Sequence, residues 1–179
     1  TVEGVRLLDV DPGKSTNRTV ITFVGPPEQI GEAAVRLIKK AAALIDMRKH
    51  RGEHPRMGAT DVCPFVPVSG VTMEECSAIA HEVGKRVGEE LGIPGYFYES
   101  AAKVSTRRNL AYCRKGQYDG VAKVESADGA PDFGPAVWNE QTQRTGATAI
   151  GARDFLIAYN INLNTTSSRR ANAIAFDIR

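Results

Sequence analysis

The order in which strand and helix patterns follow one another constrains the fold of this chain more than any other sequence feature. Two strand patterns come first, and helix and strand patterns then alternate, joined by short links. The order ββαβαβαβα favours an α+β layered sheet over a doubly wound parallel sheet. The 179 residues are enough for one domain with a substantial core.

The strand patterns differ in where they should lie in a sheet. β-Branched, aromatic or alternating residues predict strands at 5–10, 19–24, 60–68, 95–99 and 155–163. The first two are joined by a turn-rich loop, so we predict that they pair as antiparallel neighbours. Pro64 and Pro67 remove two backbone donors from the third, which predicts an edge or bulged strand. The last shows the clearest alternation in the chain.

Helical periodicity is equally clear. Apolar residues at helical spacing predict helices at 26–46, 72–91, 105–114 and 167–178. Thr72 and Glu75 form a capping box at the start of the second helix, and Gly92 should end it. The last helix should turn three residues inward: Ala171, Ile174 and Ala175.

Periodicity fades between Tyr118 and Ala149. The polar run 139–145 shows neither a helix nor a strand pattern. A loop of this length in a compact domain is usually functional or disordered, so we predict an irregular segment here.

Composition narrows the class of partner. The net charge of +2, with acidic and basic residues interspersed, does not indicate a surface that binds polyanions, so nucleic acid is not an expected partner. The three cysteines form no CxxC pair, which predicts free thiols in a reducing, cytoplasmic compartment. No apolar run is long enough to span a bilayer, so no membrane partner is expected.

The densest polar run, from His50 to Asp61, follows the first helix and precedes a stiff strand. A zinc site is a weak hypothesis, because Gly52 and Pro55 disfavour the helix that would bring His50 and His54 together. General acid–base chemistry suits a histidine near neutral pH. From the pattern alone, an ordinary loop histidine remains the slightly better interpretation of His54.

Charged residues around this run could serve a substrate. Arg18 and Arg56 are candidates for binding carboxylates in bidentate fashion, with Lys49 nearby. Asp11, expected where the first strand ends, is either a site residue or a plain turn aspartate. Asn160 and Asn162 share one face of the predicted strand at 155–163, where they could line a site or face water.

Several motifs in order resemble the glutamate formiminotransferase family. They are Leu7–Asp11 (LLDVD), Ser15–Thr19 (STNRT), Leu44–Met47 (LIDM), Gly52–Gly58 (GEHPRMG), Asp61–Phe65 (DVCPF), Met73–Cys76 (MEEC), Asp132–Pro135 (DFGP), Gly151–Arg153 (GAR), Phe155–Ala158 (FLIA) and Asn160–Leu163 (NINL). The resemblance covers nearly the whole chain, from about Val5 onward. It implies that residues 1–179 correspond to the N-terminal subdomain of the formiminotransferase domain.

The resemblance also implies an activity and a set of site residues. The activity is transfer of a formimino group from N-formimino-L-glutamate to tetrahydrofolate in histidine breakdown. The family's catalytic histidine falls on His54 and its active-site aspartate on Asp11. Its folate-contacting segment falls on 134–146, which contains Gly134, Pro135 and Gly146. Arg18, Arg56 and Asn160 complete the folate-binding set expected here on the basis of their side-chain chemistry.

At the level of the fold, the resemblance implies a ferredoxin-like sandwich, with a mostly antiparallel or mixed sheet and helices on one face. The family's first strand and helix are not found before Thr1, and its second, similar half is expected beyond this chain. A homodimer and a cytoplasmic location are implied as well. The alternative is a non-catalytic folate- or ligand-binding half-domain that needs a second subdomain. An RNA-binding domain is disfavoured, because no aromatic RNA-binding strand motif is present.

Overall fold

The computed structural model describes residues 2–127, 129–157 and 161–178. Its strands are β1 Arg6–Gly13, β2 Arg18–Val24, β3 Val62–Phe65, β4 Gly95–Glu99 and β5 Thr148–Ala152. Its helices are α1 Pro27–Leu44, α2 Met73–Leu91, α3 Leu110–Cys113, α4 Gln117–Gly120, α5 Glu140–Thr145 and α6 Ser168–Ile178. Three 3₁₀ turns lie at Met47–Lys49, Ser105–Arg108 and Val121–Glu125.

The strands form two separate sheets. β1 and β2 pair as an antiparallel hairpin, which confirms the expected pairing. β5 lies between β3 and β4 and runs parallel to both. The α+β class is therefore confirmed, but the expectation of a mostly antiparallel or mixed sheet is wrong for the larger sheet. Parallel neighbours need long crossovers, and α2 and the segment 100–147 supply them. The ferredoxin-like topology stays a prediction.

The parallel sheet is covered on both faces. α1 and α2 pack on one face through a core that includes Ile38, Val83 and Phe97. On the other face, Tyr98 and Ala149 pack against Val121 and other residues of the short helical segments. β5 is buried along its whole length, so it is the structural centre of the molecule.

The two long helices follow the sequence closely. α2 begins with the predicted capping box, in which Thr72 and Glu75 exchange hydrogen bonds, and Gly92 ends it at φ 61°. The expected helix at 105–114 is divided, because Asn109 adopts an extended backbone and caps α3 with its side chain. β3 lies at the edge of its sheet, as its prolines predict. No helix within the described residues is both long and apolar enough to cross a membrane.

Three expectations near the C-terminus are wrong. The described residues 153–157 and 161–163 form no strand, and Ile157 is 92% exposed. Residues 158–160 of that predicted strand lie outside the described residues. α6 forms as expected, but none of its residues is buried, so its predicted inward face is not inward. The irregular segment expected at 139–145 is instead the helix α5, which Asn139 caps.

Candidate active site

The loop between α1 and β3 is held to the sheet at its C-terminal part. Met57 is buried, and its backbone N–H donates to Oδ1 of Asp61 at 2.8 Å. The other oxygen of Asp61 accepts from Arg114, and both side chains of this ion pair are largely buried. The loop therefore enters β3 through a fixed turn.

The tip of the β1–β2 hairpin holds the N-terminal part of the same loop. The side chain of Asn17 donates to the carbonyl of Arg51 at 2.7 Å, and the carbonyl of Ser15 accepts from Glu53 N–H at 3.1 Å. A Cβ at Gly52 would lie 2.3 Å from the carbonyl oxygen of Thr16. Only glycine permits so close an approach of two backbones.

His54 is half-buried, and both nitrogens of its ring are engaged. Nη1 of Arg18 lies 2.6 Å from Nε2, and Nδ1 lies 2.7 Å from the carbonyl oxygen of Pro55. A guanidinium can only donate and a carbonyl can only accept. Nε2 therefore carries the lone pair and Nδ1 carries the proton, which is the neutral tautomer with a potential base at Nε2.

Asp11 lies within β1, not on the connecting loop, because the strand continues to Gly13. It pairs with Val20, and Gly13 pairs with Arg18. Since alternate residues share a face, Asp11 and Arg18 lie diagonally on one face of the hairpin. Within the described residues no hydrogen bond or ion pair joins Asp11 to His54, and the side chain that contacts Nε2 of His54 is Arg18.

Arg56 and His50 are joined through the backbone of the loop. Nη2 of Arg56 donates to the carbonyl of His50 at 2.7 Å, and its guanidinium lies 6.0 Å from the ring centroid of Tyr118. Nδ1 of His50 lies 3.3 Å from the side-chain amide of Asn17. The loop thus keeps its two histidines in different surroundings.

The two ends of the predicted folate segment occupy different places. Gly146, at φ 67°, pairs with Gly58, and a Cβ there would lie 2.1 Å from the carbonyl oxygen of Met57. Gly134, at φ 77°, packs instead against the carbonyl of Ile93, next to the half-buried Pro135. Only the Gly146 end meets the His54 loop. Asn160 lies outside the described residues.

Between these ends, α5 bridges the C-terminal ends of both long helices. Arg144 donates to the carbonyl of Ala43 at 2.7 Å, and Gln141 donates to that of Leu91 at 2.7 Å. An open groove of about 650 Å³ runs beside these contacts. None of the candidate catalytic residues is among the described residues that line it. We therefore centre the site on His54 and not on the groove.

Titratable groups next to the loop have structural roles. The guanidinium of Arg48 bonds both carboxylate oxygens of Asp46 and holds the pKa of that carboxyl well below its usual range. Burial raises the pKa of Cys63, on β3, to about 12. A thiol that stays protonated at neutral pH is a poor nucleophile. Neither Asp46 nor Cys63 is therefore a candidate for the reacting group beside this loop.

Sequence reasoning did not single out Asn17 or the pair of Asp61 with Arg114. Asn17 adopts a left-handed backbone, φ 47°, which asparagine tolerates well in a turn-rich loop. The tolerance of asparagine for a positive φ is the sequence signal that could have identified Asn17. Asp61 and Arg114 lie 53 residues apart, and no local pattern reports such a contact.

Comparison with known proteins gives consistent matches. A family model described as the N-terminal subdomain of the formiminotransferase domain matches residues 1–153. The chain is 54% identical over 177 residues to the formimidoyltransferase-cyclodeaminase of Gallus gallus, covering 98% of this chain and 32% of that protein. It is 48% identical over 180 residues to the glutamate formimidoyltransferase of Streptococcus pyogenes serotype M1, covering 100% of this chain and 59% of that protein. The chain thus spans less than two thirds of the length of either relative.

Proposed function

This chain belongs to the formiminotransferase family, as its N-terminal subdomain, and from that premise we propose that it carries the catalytic histidine of a glutamate formiminotransferase. The donor would be N-formimino-L-glutamate and the acceptor tetrahydrofolate, a co-substrate. The observation that carries the proposal is the neutral His54 ring, with its lone pair at Nε2 and its proton held by Pro55.

The reaction needs one group that takes a proton and later returns it. The folate amine attacks the formimino carbon, and a tetrahedral intermediate forms with three nitrogens on that carbon: the former imino nitrogen, the glutamate nitrogen and the folate nitrogen. Nε2 of His54 takes the proton from the attacking nitrogen and gives it to the glutamate nitrogen, whose bond to carbon then breaks. A well-placed general acid–base contributes roughly 10²–10⁴-fold to the rate.

Other residues have supporting roles in this proposal. Asp11 lies on the hairpin face that carries Arg18, where its carboxylate can stabilise the positive charge that develops during transfer. Arg56 and Arg18 are candidates for the carboxylates of either substrate. Gly146 brings one end of the predicted folate segment against the loop of His54.

Replacement of His54 tests the proposal. We expect His54→Gln to lower the rate of formimino transfer by roughly 10²–10⁴-fold. The free energy of unfolding should change little, because the ring is only half-buried and its partners, Arg18 and Pro55, are exposed. His50→Gln, four residues earlier in the same loop, is the matched control and should keep most of the rate. Transfer that continues at the wild-type rate in His54→Gln would remove His54 from the mechanism.

Because this chain covers only part of the length of its relatives, a second candidate function is considered. A folate- or ligand-binding half-domain would bind tetrahydrofolate in calorimetry without transferring the formimino group. Transfer that is restored only when a second subdomain is added would favour this candidate. The expected homodimer stays a prediction that sedimentation equilibrium can test.

A further inference from the structure

The contacts of His54 pose a problem for any proton transfer at its ring. Nε2 accepts from Arg18 and Nδ1 donates to Pro55, so neither nitrogen is free. A base whose lone pair is occupied cannot take a proton from a substrate. Arg18 must therefore move before His54 can act.

Arg18 is well placed to move. Its side chain is exposed, and in the described ranges it forms no ion pair with a carboxylate. The backbone beside it is held, because Asn17 donates to the carbonyl of Arg51. The guanidinium can thus rotate about a fixed backbone position while the hairpin tip stays in place.

An anionic substrate offers the guanidinium a better acceptor than an imidazole nitrogen. Hydrogen bonds between ionised groups are roughly twice as strong as those between neutral groups, and a carboxylate can accept two from one guanidinium. A carboxylate bound near the ring would therefore draw Arg18 away from Nε2.

We propose that Arg18 is a positioning residue that occupies the lone pair on Nε2 of His54 and releases it when a substrate carboxylate binds the guanidinium. This inference rests on the proposed function, because it supplies the step that makes His54 available. Arg18 itself exchanges no proton. After release, Nε2 accepts the proton of the attacking amine, Nδ1–H stays on the carbonyl of Pro55, and the same proton later leaves with the glutamate nitrogen.

Nitrogen NMR of the imidazole rings tests this directly. The chain has three histidines, so ¹⁵N-labelled protein gives three ring spin systems, and His54→Gln assigns the one in question. We expect the free wild-type chain to show the Nδ1–H tautomer at His54. L-Glutamate, used as the carboxylate probe, should shift the Nε2 resonance of this ring as Arg18 leaves.

Variants separate the role of Arg18 from a general effect of charge. Arg18→Met keeps the length of the side chain without its donors, so the His54 ring should differ from wild type and should no longer respond to L-glutamate. Arg18→Lys should restore part of the response. Arg51→Met is the control, because its guanidinium contacts the carbonyl of His50 and not the His54 ring. It should respond as wild type does.

Two outcomes of these ring spectra would overturn the inference. A wild-type ring that ignores saturating L-glutamate, or an Arg18→Met ring identical to wild type, shows that Arg18 does not gate Nε2. Kinetics provide a second readout in which Arg18→Met lowers kcat/KM for N-formimino-L-glutamate by roughly 10- to 100-fold, as expected for a hydrogen bond between charged groups. The ring spectra need no turnover. A ring that responds in a protein without transfer activity would therefore contradict the proposed function and leave the role of Arg18 intact.

Discussion

Two of the three histidines, His81 and His54, show at the residue scale how the chemistry of a side chain depends on the partner of each ring nitrogen. Nε2 of His81 donates to the carbonyl of Ala101 at 2.8 Å, so this ring carries a structural contact. Nε2 of His54 accepts from Arg18, 36 residues away in the chain. From sequence, an acid–base role and an ordinary loop histidine were both open for His54. Partners this distant in sequence distinguish the two roles, and local patterns do not report them.

Two cysteines of intermediate burial, Cys63 and Cys113, make the free energy of unfolding depend on pH in the alkaline range. Burial raises the pKa of Cys63 to about 12 and that of Cys113 to about 11, from an ordinary value of 9.0. The unfolded chain therefore loses these protons at lower pH than the folded chain does. We expect the free energy of unfolding to decrease as pH rises from about 9 toward about 11, by at most roughly 1.4 kcal/mol per pH unit for each thiol.

Urea unfolding at a series of pH values checks this prediction. Lysines and tyrosines titrate in the same pH range, so the useful quantity is the difference in the free energy of unfolding between wild type and Cys63→Ala. That difference should be constant below about pH 8 and should narrow above about pH 9. A difference that stays constant up to about pH 11 would show that the folded protein does not shift the pKa of this thiol.

At the scale of elements, propensity predicted the long helices and failed for the central strand. β5 has the sequence Thr-Ala-Ile-Gly-Ala, in which only two residues favour strands. Its small residues are needed because neighbours lie across them: a Cβ at Gly151 would lie 2.5 Å from the ring of Tyr98. The strongly alternating segment that includes Phe155 has no strand partner in its described part, and alternation alone does not make a strand.

The contact between the segment ending at Gly146 and the loop of His54 is a further feature of this scale that sequence could not predict. We expect Gly146→Ala to disturb both the segment and the loop. The φ angle at Gly146 is 67°, and the new Cβ would lie 2.1 Å from the carbonyl oxygen of Met57. Gly70→Ala is a matched control, with φ 68° and nothing within 4 Å of the new Cβ. The control should lose about 1–2 kcal/mol of stability from backbone strain alone.

The difference between the two variants combines the cost of the contact with the additional strain at Gly146, whose ψ of −156° lies in a region that is essentially restricted to glycine. Gly146→Ala should lose roughly 1–3 kcal/mol more than the control, as overpacking does. It should also shift the ¹⁵N resonances of His54, whereas Gly70→Ala should leave them unchanged. Equal losses of stability in urea unfolding would mean that the loop moves aside without cost and that Gly146 does not hold it.

At the scale of the whole molecule, the site joins a well-packed part of the chain to a poorly packed one. The parallel sheet is buried on both faces, but the hairpin exposes large apolar side chains, with Leu7 59% and Leu8 56% exposed. His54 lies on a loop anchored to the sheet at Met57, and Arg18 comes from the hairpin. Any opening of the hairpin would therefore separate Arg18 from His54.

Hydrogen exchange followed by mass spectrometry tests this division. Local opening needs less free energy where few apolar groups are buried, so amides of β1 and β2 should exchange well before those of β5. Residues 13–18 and 50–54 should exchange together, because backbone and Asn17 hydrogen bonds join them. Asn17→Gly permits the positive φ but removes the side-chain bonds, so it should speed exchange in both segments and leave β5 unchanged. Hairpin amides as slow as those of β5 would mean that the hairpin is part of the rigid core, and that Arg18 leaves His54 only by rotation of its own side chain.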